Sequence, residues 1–128
     1  MAEYPEDLKY STDHEWVRPG NESIVRVGVT EYATEQLGDI VYVQLPEVGQ
    51  SVEAGDSCGE LESTKSTSDI FSPLSGVITA VNDAVQDAPE TINNDPYGDG
   101  WIYELEVTGE DALGDLMDAD GYAEHVGE

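Results

Sequence analysis

The sequence predicts a mainly β domain of sandwich or barrel type, edged by a few short helices. Short clusters of Val, Ile, Tyr and Trp recur along the 128 residues, and each is bounded by Gly, Pro, Asn or Asp. Their spacing, about 8 to 12 residues from one cluster to the next, matches strands joined by turns rather than alternating strand and helix units. The length suits one domain, residues 1–128, with a core of its own.

The elements follow in chain order. Residues 15–28 read as two strands around a turn at Pro19-Gly20-Asn21, with Trp16, Ile24, Val25 and Val27 as the β-favouring side chains. Thr30 is placed to cap a short helix over residues 31–37. Its early Glu31 suits the positive end of a helix dipole, and Gly38 marks the stop. Residues 40–45 (Ile-Val-Tyr-Val-Gln-Leu) give the strongest strand signal in the chain, halted by Pro46, and are expected to lie centrally in a sheet. From Val48 to Val85 the spacing repeats: Val48-Gly49-Gln50-Ser51-Val52 leads to Gly55-Asp56, and Leu74-Ser75-Gly76-Val77-Ile78 leads to Val81-Asn82-Asp83. Lys65 stands between the halves. No Gly or Asn marks a turn over residues 64–66, so a turn there is inferred from the symmetry of its flanks. Residues 90–94 are short and polar, residues 95–100 are dense in turn formers, and residues 101–107 alternate as a strand. Leu113, Leu116, Met117 and Tyr122 recur at roughly helical spacing, which predicts short C-terminal helices interrupted near Gly121.

Four Lys plus Arg against 29 Asp plus Glu leave a formal charge of −25. So negative a surface excludes nucleic acid and anionic membrane as partners. The acids are spread along the whole chain and lysine has nearly vanished, a composition expected of a salt-in halophile. In molar salt the screening length shrinks to about 3 Å, which cancels most of the self-repulsion. Salt-dependent folding is the expected consequence; identical, fully folded circular dichroism in dilute buffer and in molar KCl would contradict it. Cys58 is the lone cysteine, so no internal disulfide forms, and its expected place is a small buried apolar position. The segment Met1-Ala2-Glu3-Tyr4-Pro5-Glu6-Asp7 lacks the basic start and apolar run of a signal peptide, and no stretch approaches about 18 apolar residues. A cytoplasmic location is expected.

Lys65 is one of two lysines. An ε-amine is a compact nucleophile on a flexible stem and can be joined through an amide to a carboxylic cofactor, losing its charge and gaining a long arm. A Schiff-base role with Glu62 or Asp69 handling protons is the alternative from a different class, but it needs a lowered pKa that the surrounding acids oppose. An acidic adaptor that only binds partners would carry no modification at all. Asp95, Asp99, Gly100 and Glu106 fall at positions 1, 5, 6 and 12 of a calcium-loop template. The template fails, because Pro96 and Tyr97 fill its second and third positions and a strand follows. His14, between Asp13 and Glu15, has the residue type of a metal ligand or general base, yet His125 stands alone in the tail and no second ligand is evident. No Ser-His-Asp spacing, phosphate loop or paired-cysteine site occurs, so neither metal nor independent catalysis is expected.

Residues 59–76, Gly-Glu-Leu-Glu-Ser-Thr-Lys-Ser-Thr-Ser-Asp-Ile-Phe-Ser-Pro-Leu-Ser-Gly, resemble the lipoylation site of the glycine cleavage system H-protein family. The resemblance extends through Leu8-Lys9-Tyr10, His14-Glu15-Trp16-Val17, Gly28-Val29-Thr30, Leu37-Gly38-Asp39, Leu45-Pro46, Pro89-Glu90-Thr91-Ile92-Asn93, Asp95-Pro96-Tyr97-Gly98 and Gly100-Trp101, essentially the whole chain. Thr64 and Ser66 depart from the family, which more often has a small apolar residue at each. The resemblance implies a barrel-sandwich hybrid of the lipoyl/biotinyl type, with Lys65 at a hairpin tip and lipoate on its ε-nitrogen. It implies that a lipoate ligase reads Glu62, Ser63, Thr64 and Ser66, with a lipoate ligase or lipoyl synthase as the partner that installs the group. It also implies that Glu15 and Asp69, with Asp13 adding charge, line the cleft that shelters the loaded arm. The implied role is that of a non-catalytic carrier: a pyridoxal-phosphate glycine decarboxylase loads an aminomethyl group, a tetrahydrofolate-dependent aminomethyltransferase unloads it, and dihydrolipoamide dehydrogenase reoxidises the dithiol. A monomer that docks transiently is expected, and relay of lipoyl groups to other proteins is the alternative within the carrier class.

Overall fold

The computed structural model describes residues 8–11, 14–19, 24–107 and 116–126, Pro19 by its backbone alone. Asp13, Gly20, Asn21 and Leu113 lie outside the described residues. The described chain runs β1 (Lys9–Tyr10), β2 (Glu15–Pro19), β3 (Ile24–Val29), α1 (Glu31–Leu37), β4 (Ile40–Gln44), β5 (Ser51–Val52), β6 (Ser57–Ser63), β7 (Thr67–Phe71), β8 (Gly76–Val81), α2 (Asp83–Asp87), α3 (Glu90–Asn94), β9 (Tyr103–Val107) and α4 (Ala119–Val126). Six strands form one sheet in the order β1-β2-β3-β9-β8-β5, and three form a second in the order β4-β6-β7.

Two-residue alternation builds the core between the sheets. The first sheet contributes Val17, Val25, Val27, Val29, Ile78 and Leu105, the second Ile40, Val43, Leu61 and Ile70, and all belong to one buried cluster. Each such side chain contributes roughly 1.5–3 kcal/mol by leaving water. The repeated segments noted in the sequence meet in space, because β5 pairs with β8 through Ser51 opposite Val77 and Val52 opposite Gly76.

Local signals placed α1 correctly. The Thr30 hydroxyl accepts from the Ala33 N–H at 3.2 Å, and Gly38 ends the helix at φ +85°, where a Cβ would be strained. Two expectations change. The segment 40–45 is not central: β6 pairs locally with β7 and takes β4 on its other side, so β4 is the edge of the smaller sheet. The C-terminal helix is not interrupted at Gly121, because Gly121 lies in the first turn of α4, where the Asp118 carboxylate accepts its N–H at 2.8 Å. The short helix α2, capped by the Asn82 side chain through the Ala84 N–H, carries too little periodicity to be read from sequence.

A second cluster covers the outer face of β1 and β2. Leu8, Tyr10, Trp16, Ala119 and Tyr122 pack there, with Tyr10 stacked on Tyr122 at 4.9 Å between ring centres. The turn-rich segment 95–100 is pinned on the same side: Trp16 Nε1 donates to the Pro96 carbonyl at 2.8 Å and Arg18 Nη2 to the Tyr97 carbonyl at 2.9 Å. Opposite Trp16 in the ladder stands Gly28, where a Cβ would come within 2.5 Å of the indole. Only glycine leaves room for the ring.

Candidate functional site

The ladder between β6 and β7 ends at the pair Glu62 and Thr67, leaving residues 63–66 as the connection. Ser63 folds it. Its hydroxyl donates to the Ser66 carbonyl at 2.9 Å and accepts from the backbone N–H groups of Lys65 at 3.2 Å and Ser66 at 3.1 Å, while the Ser63 N–H also reaches the Ser66 carbonyl at 2.8 Å. A serine side chain thus supplies the closure that a Gly or Asn turn would otherwise give. Lys65 stands exposed at the tip with Thr64 and Ser66, and Glu62 is exposed one step below. Ser63 is buried at 8 % exposure, with its hydroxyl engaged inside the turn.

The tip rests on the link between α1 and β4. The Thr64 N–H donates to the Asp39 carbonyl at 3.1 Å, and the Lys65 stem passes over Gly38, where a methyl group would lie 3.4 Å from Lys65 Cε. Asn93 of α3 clamps that link from both sides, donating to the Gly38 carbonyl at 2.9 Å and accepting from the Ile40 N–H at 2.8 Å. Sequence reasoning did not single out Asn93 as a site residue. Its partners lie more than fifty positions away, and nothing in a short polar segment signals them.

The other basic side chains lie elsewhere, and both arginines are engaged. Arg26 pairs with Glu104 at 3.0 Å and lies 4.4 Å over the Trp101 ring; Arg18 lies 5.3 Å over Trp16; Lys9 is half-buried in β1. Lys65 is the amine presented at an exposed turn.

Glu15 and Asp69 both come to β7, in different settings. Glu15 is 2 % exposed, and its carboxylate accepts from the Ser11 hydroxyl at 3.2 Å and from the Phe71 N–H at 2.8 Å, so it bridges from β2 to the edge of β7. Asp69 is exposed and stands opposite Glu60 in the ladder. His14, at φ 68°, shares the Tyr122 hydroxyl with Thr30, each at 2.8 Å. The helix α4 also carries His125 to 6.0 Å from the His14 ring, so the two histidines that are remote in sequence are neighbours in the fold. Among the described residues, no group of three or more His, Cys, Asp or Glu has the geometry to hold a metal.

Cys58 is buried at 7 % exposure, and burial pushes its thiol from 9.0 up to about 11. The Tyr103 hydroxyl faces Cys58 and Ser72 without reaching hydrogen-bond geometry with either, and its own ionisation is raised well above the ordinary range by burial. The unfolded thiol loses its proton first as pH rises, so its contribution to stability is fully present below about pH 9 and is lost between pH 9 and about 11. Urea midpoints at pH 8 and pH 10.5 check this: a smaller drop is expected in Cys58→Ala, and an equal drop would show that the thiol contributes nothing.

The geometry is that of an exposed lysine on a braced hairpin tip of a two-sheet fold, and a family model decides what it belongs to. The model of the glycine cleavage H-protein matches residues 8–128. The chain is a member of the glycine cleavage H-protein family. It is 53 % identical to the glycine cleavage system H protein of Nocardia farcinica, over 99 % of both chains. It is 51 % identical to that of Corynebacterium aurimucosum, over 96 % of this chain and 95 % of the other. A crystal structure of a glycine cleavage system H protein from Mycobacterium marinum superposes with a TM-score of 0.88 at 50 % identity, covering 98 % of this chain and 100 % of the other. The mainly β fold with two sheets and short helices is therefore the H-protein lipoyl-domain fold. Members of this family are carriers with lipoate covalently bound to a lysine and are not themselves catalysts. The halophile origin expected from composition gains no support from these relatives.

Proposed function

We propose that Lys65 is the lysine on which this H protein carries lipoate. The observation that carries the reading is the tip itself: an exposed amine whose backbone is fixed by Ser63 and whose base is braced by Asp39 and Asn93. The residues fit the group. An exposed stem leaves an acyl arm free to swing, and the serine-closed turn holds Nζ out where an acylating enzyme can enclose it. In that step the lipoate carboxylate displaces pyrophosphate from ATP to give the mixed anhydride with AMP, the Lys65 Nζ attacks its acyl carbon, AMP leaves as the amide C–N bond forms, and a proton passes to solvent. When attached, the group supplies a dithiolane that takes up and gives back a one-carbon amine.

What this chain contributes is presentation. A tether converts successive encounters with separate enzymes into high local concentration, and the neutral amide leaves no competing amine at the tip. The hard chemistry belongs to the partners and their cofactors. On this reading they are a pyridoxal-phosphate glycine decarboxylase, a tetrahydrofolate-dependent aminomethyltransferase, dihydrolipoamide dehydrogenase and a lipoate ligase or lipoyl synthase, met in the cytoplasm. Among the described residues, no helix is long and apolar enough to cross a membrane. The buried, protonated Cys58 thiol suits such a carrier, because only a thiolate exchanges with a disulfide. Peptide mapping after treatment with ligase, lipoate and ATP tests the placement: the label is expected on the peptide containing Lys65, and a label on Lys9 alone contradicts it.

The same reading assigns Glu15, Asp69 and, less directly, Asp13 to the region that receives the loaded arm. Glu15 supports this as a buried carboxylate close to β7, with the exposed Asp69 two residues along that strand. Salt adaptation also belongs to the proposal, supported by 29 acidic residues facing four Lys plus Arg, and the dichroism comparison in KCl decides it.

A further inference from the structure

Strand β4 breaks the alternation of its sheet. Ile40 and Val43 are buried, yet Val41 and Tyr42 between them both face solvent, 54 % and 46 % exposed. The cause is a register shift against β6 between Ile40 and Tyr42, a bulge that places two residues where the ladder has room for one and turns both outward. Tyr42 stands opposite Glu62, and Glu62 opposite Thr67, so this rung lies immediately below the tip that carries Lys65. Two rungs down, on the same face, Gln44 stands opposite Glu60 and Glu60 opposite Asp69. Like charges directly across a ladder destabilise a sheet. Neither β4, β6 nor β7 contains a Lys or Arg to relieve them.

We propose that this face is the docking surface for the enzyme that acylates Lys65. Val41 and Tyr42 form its apolar anchor, and Glu60, Glu62 and Asp69 meet Lys or Arg side chains on the enzyme. The inference rests on the reading of Lys65 as the attachment residue. That occupant follows from geometry: an enzyme forming a bond to Nζ has to bring its reacting atoms against the tip. Its surface therefore covers the strand ends within about 10 Å, three residues of strand at roughly 3.3 Å each. Enzymes acting at the far end of a finished arm face no such constraint. The charge agrees, since an all-acidic rim is complementary at contact to a cationic partner face. Tyr42 stands on the edge strand beside this rim, and an exposed aromatic is the side-chain type that dominates binding energy.

The test uses the full chain, unmodified, with a lipoate–protein ligase, lipoate and ATP, and initial rates measured over a range of carrier concentration. Tyr42→Ser is expected to raise the KM for the carrier about tenfold while kcat stays within about twofold. Val41→Ser should shift KM in the same direction by less. Val48→Ser removes a side chain that is 61 % exposed in the loop after β4, and it should leave KM unchanged. Melting curves matching wild type confirm that these surface changes leave the fold intact. A Tyr42→Ser carrier with wild-type KM overturns the inference, as does an equal effect from Val48→Ser. If the unaltered chain gains no lipoyl group at Lys65, the reading of the site falls first and the docking surface with it. If the unaltered chain is modified normally and Tyr42→Ser matches it, only the docking surface falls.

Discussion

Glu15→Ala is expected to lower the melting temperature by about 10 °C, whereas Glu15→Gln should cost only a few degrees. The alanine removes the acceptor for the Phe71 N–H and the Ser11 hydroxyl in a place that is 2 % exposed. Removing the acceptor of the Phe71 N–H costs about 1–3 kcal/mol and emptying a buried side-chain position adds to it, so the loss is about 3 kcal/mol, and a domain of this size loses roughly 3–4 °C per kcal/mol. Glutamine keeps the shape and an oxygen for Phe71, while its amide can meet the Ser11 oxygen. Alanine would therefore confuse two effects, a weakened junction between the sheets and the loss of the carboxylate from the cleft proposed for the loaded arm. Glutamine separates them: its thermal melt should stay near wild type, and release of the carried amine should become faster. An adduct as long-lived as in wild type would confine Glu15 to its structural role.

Lys65→Arg is expected to abolish loading altogether while leaving the fold untouched. The arginine keeps the positive charge and a comparable stem over Gly38, but a guanidinium protonated at every working pH offers no free amine to acylate. Glycine-dependent release of carbon dioxide by the reconstituted enzymes should fall to the level seen with no carrier. The melting curve should overlay that of wild type, because Lys65 is exposed at a turn whose hydrogen bonds come from backbone groups and Ser63. Residual carrier activity in Lys65→Arg would point to Lys9.

How far the sequence could be read depended on the range of the interactions. Thr30, Glu31 and Gly38 describe a helix within nine residues of chain, and that helix is where local chemistry places it. The tip was legible only through its flanks, since a serine hydroxyl bonding two and three residues ahead leaves no Gly or Asn signature. The Asn93 clamp was invisible, because its partners are set by the packing of α3 against the α1–β4 link. β4 looked central by its apolar run, but which strand takes the middle was decided by the β6–β7 hairpin, and the bulge at Val41 cannot be seen in composition. The burial of Glu15 was not legible in the sequence, because alternation normally exposes every second residue of a strand. In β2 that rule fails: Glu15, Trp16 and Val17 are all buried, with the sandwich core under one face and the α4 cluster over the other.

Intact mass before and after exposure to a lipoate ligase, lipoate and ATP, with Lys65→Arg run beside the unaltered chain, tests the assignment most directly. The unaltered chain should gain the mass of one lipoyl group and Lys65→Arg none. A gain in the variant equal to that of the unaltered chain, or no gain in either, would contradict Lys65 as the residue that makes this H protein a carrier.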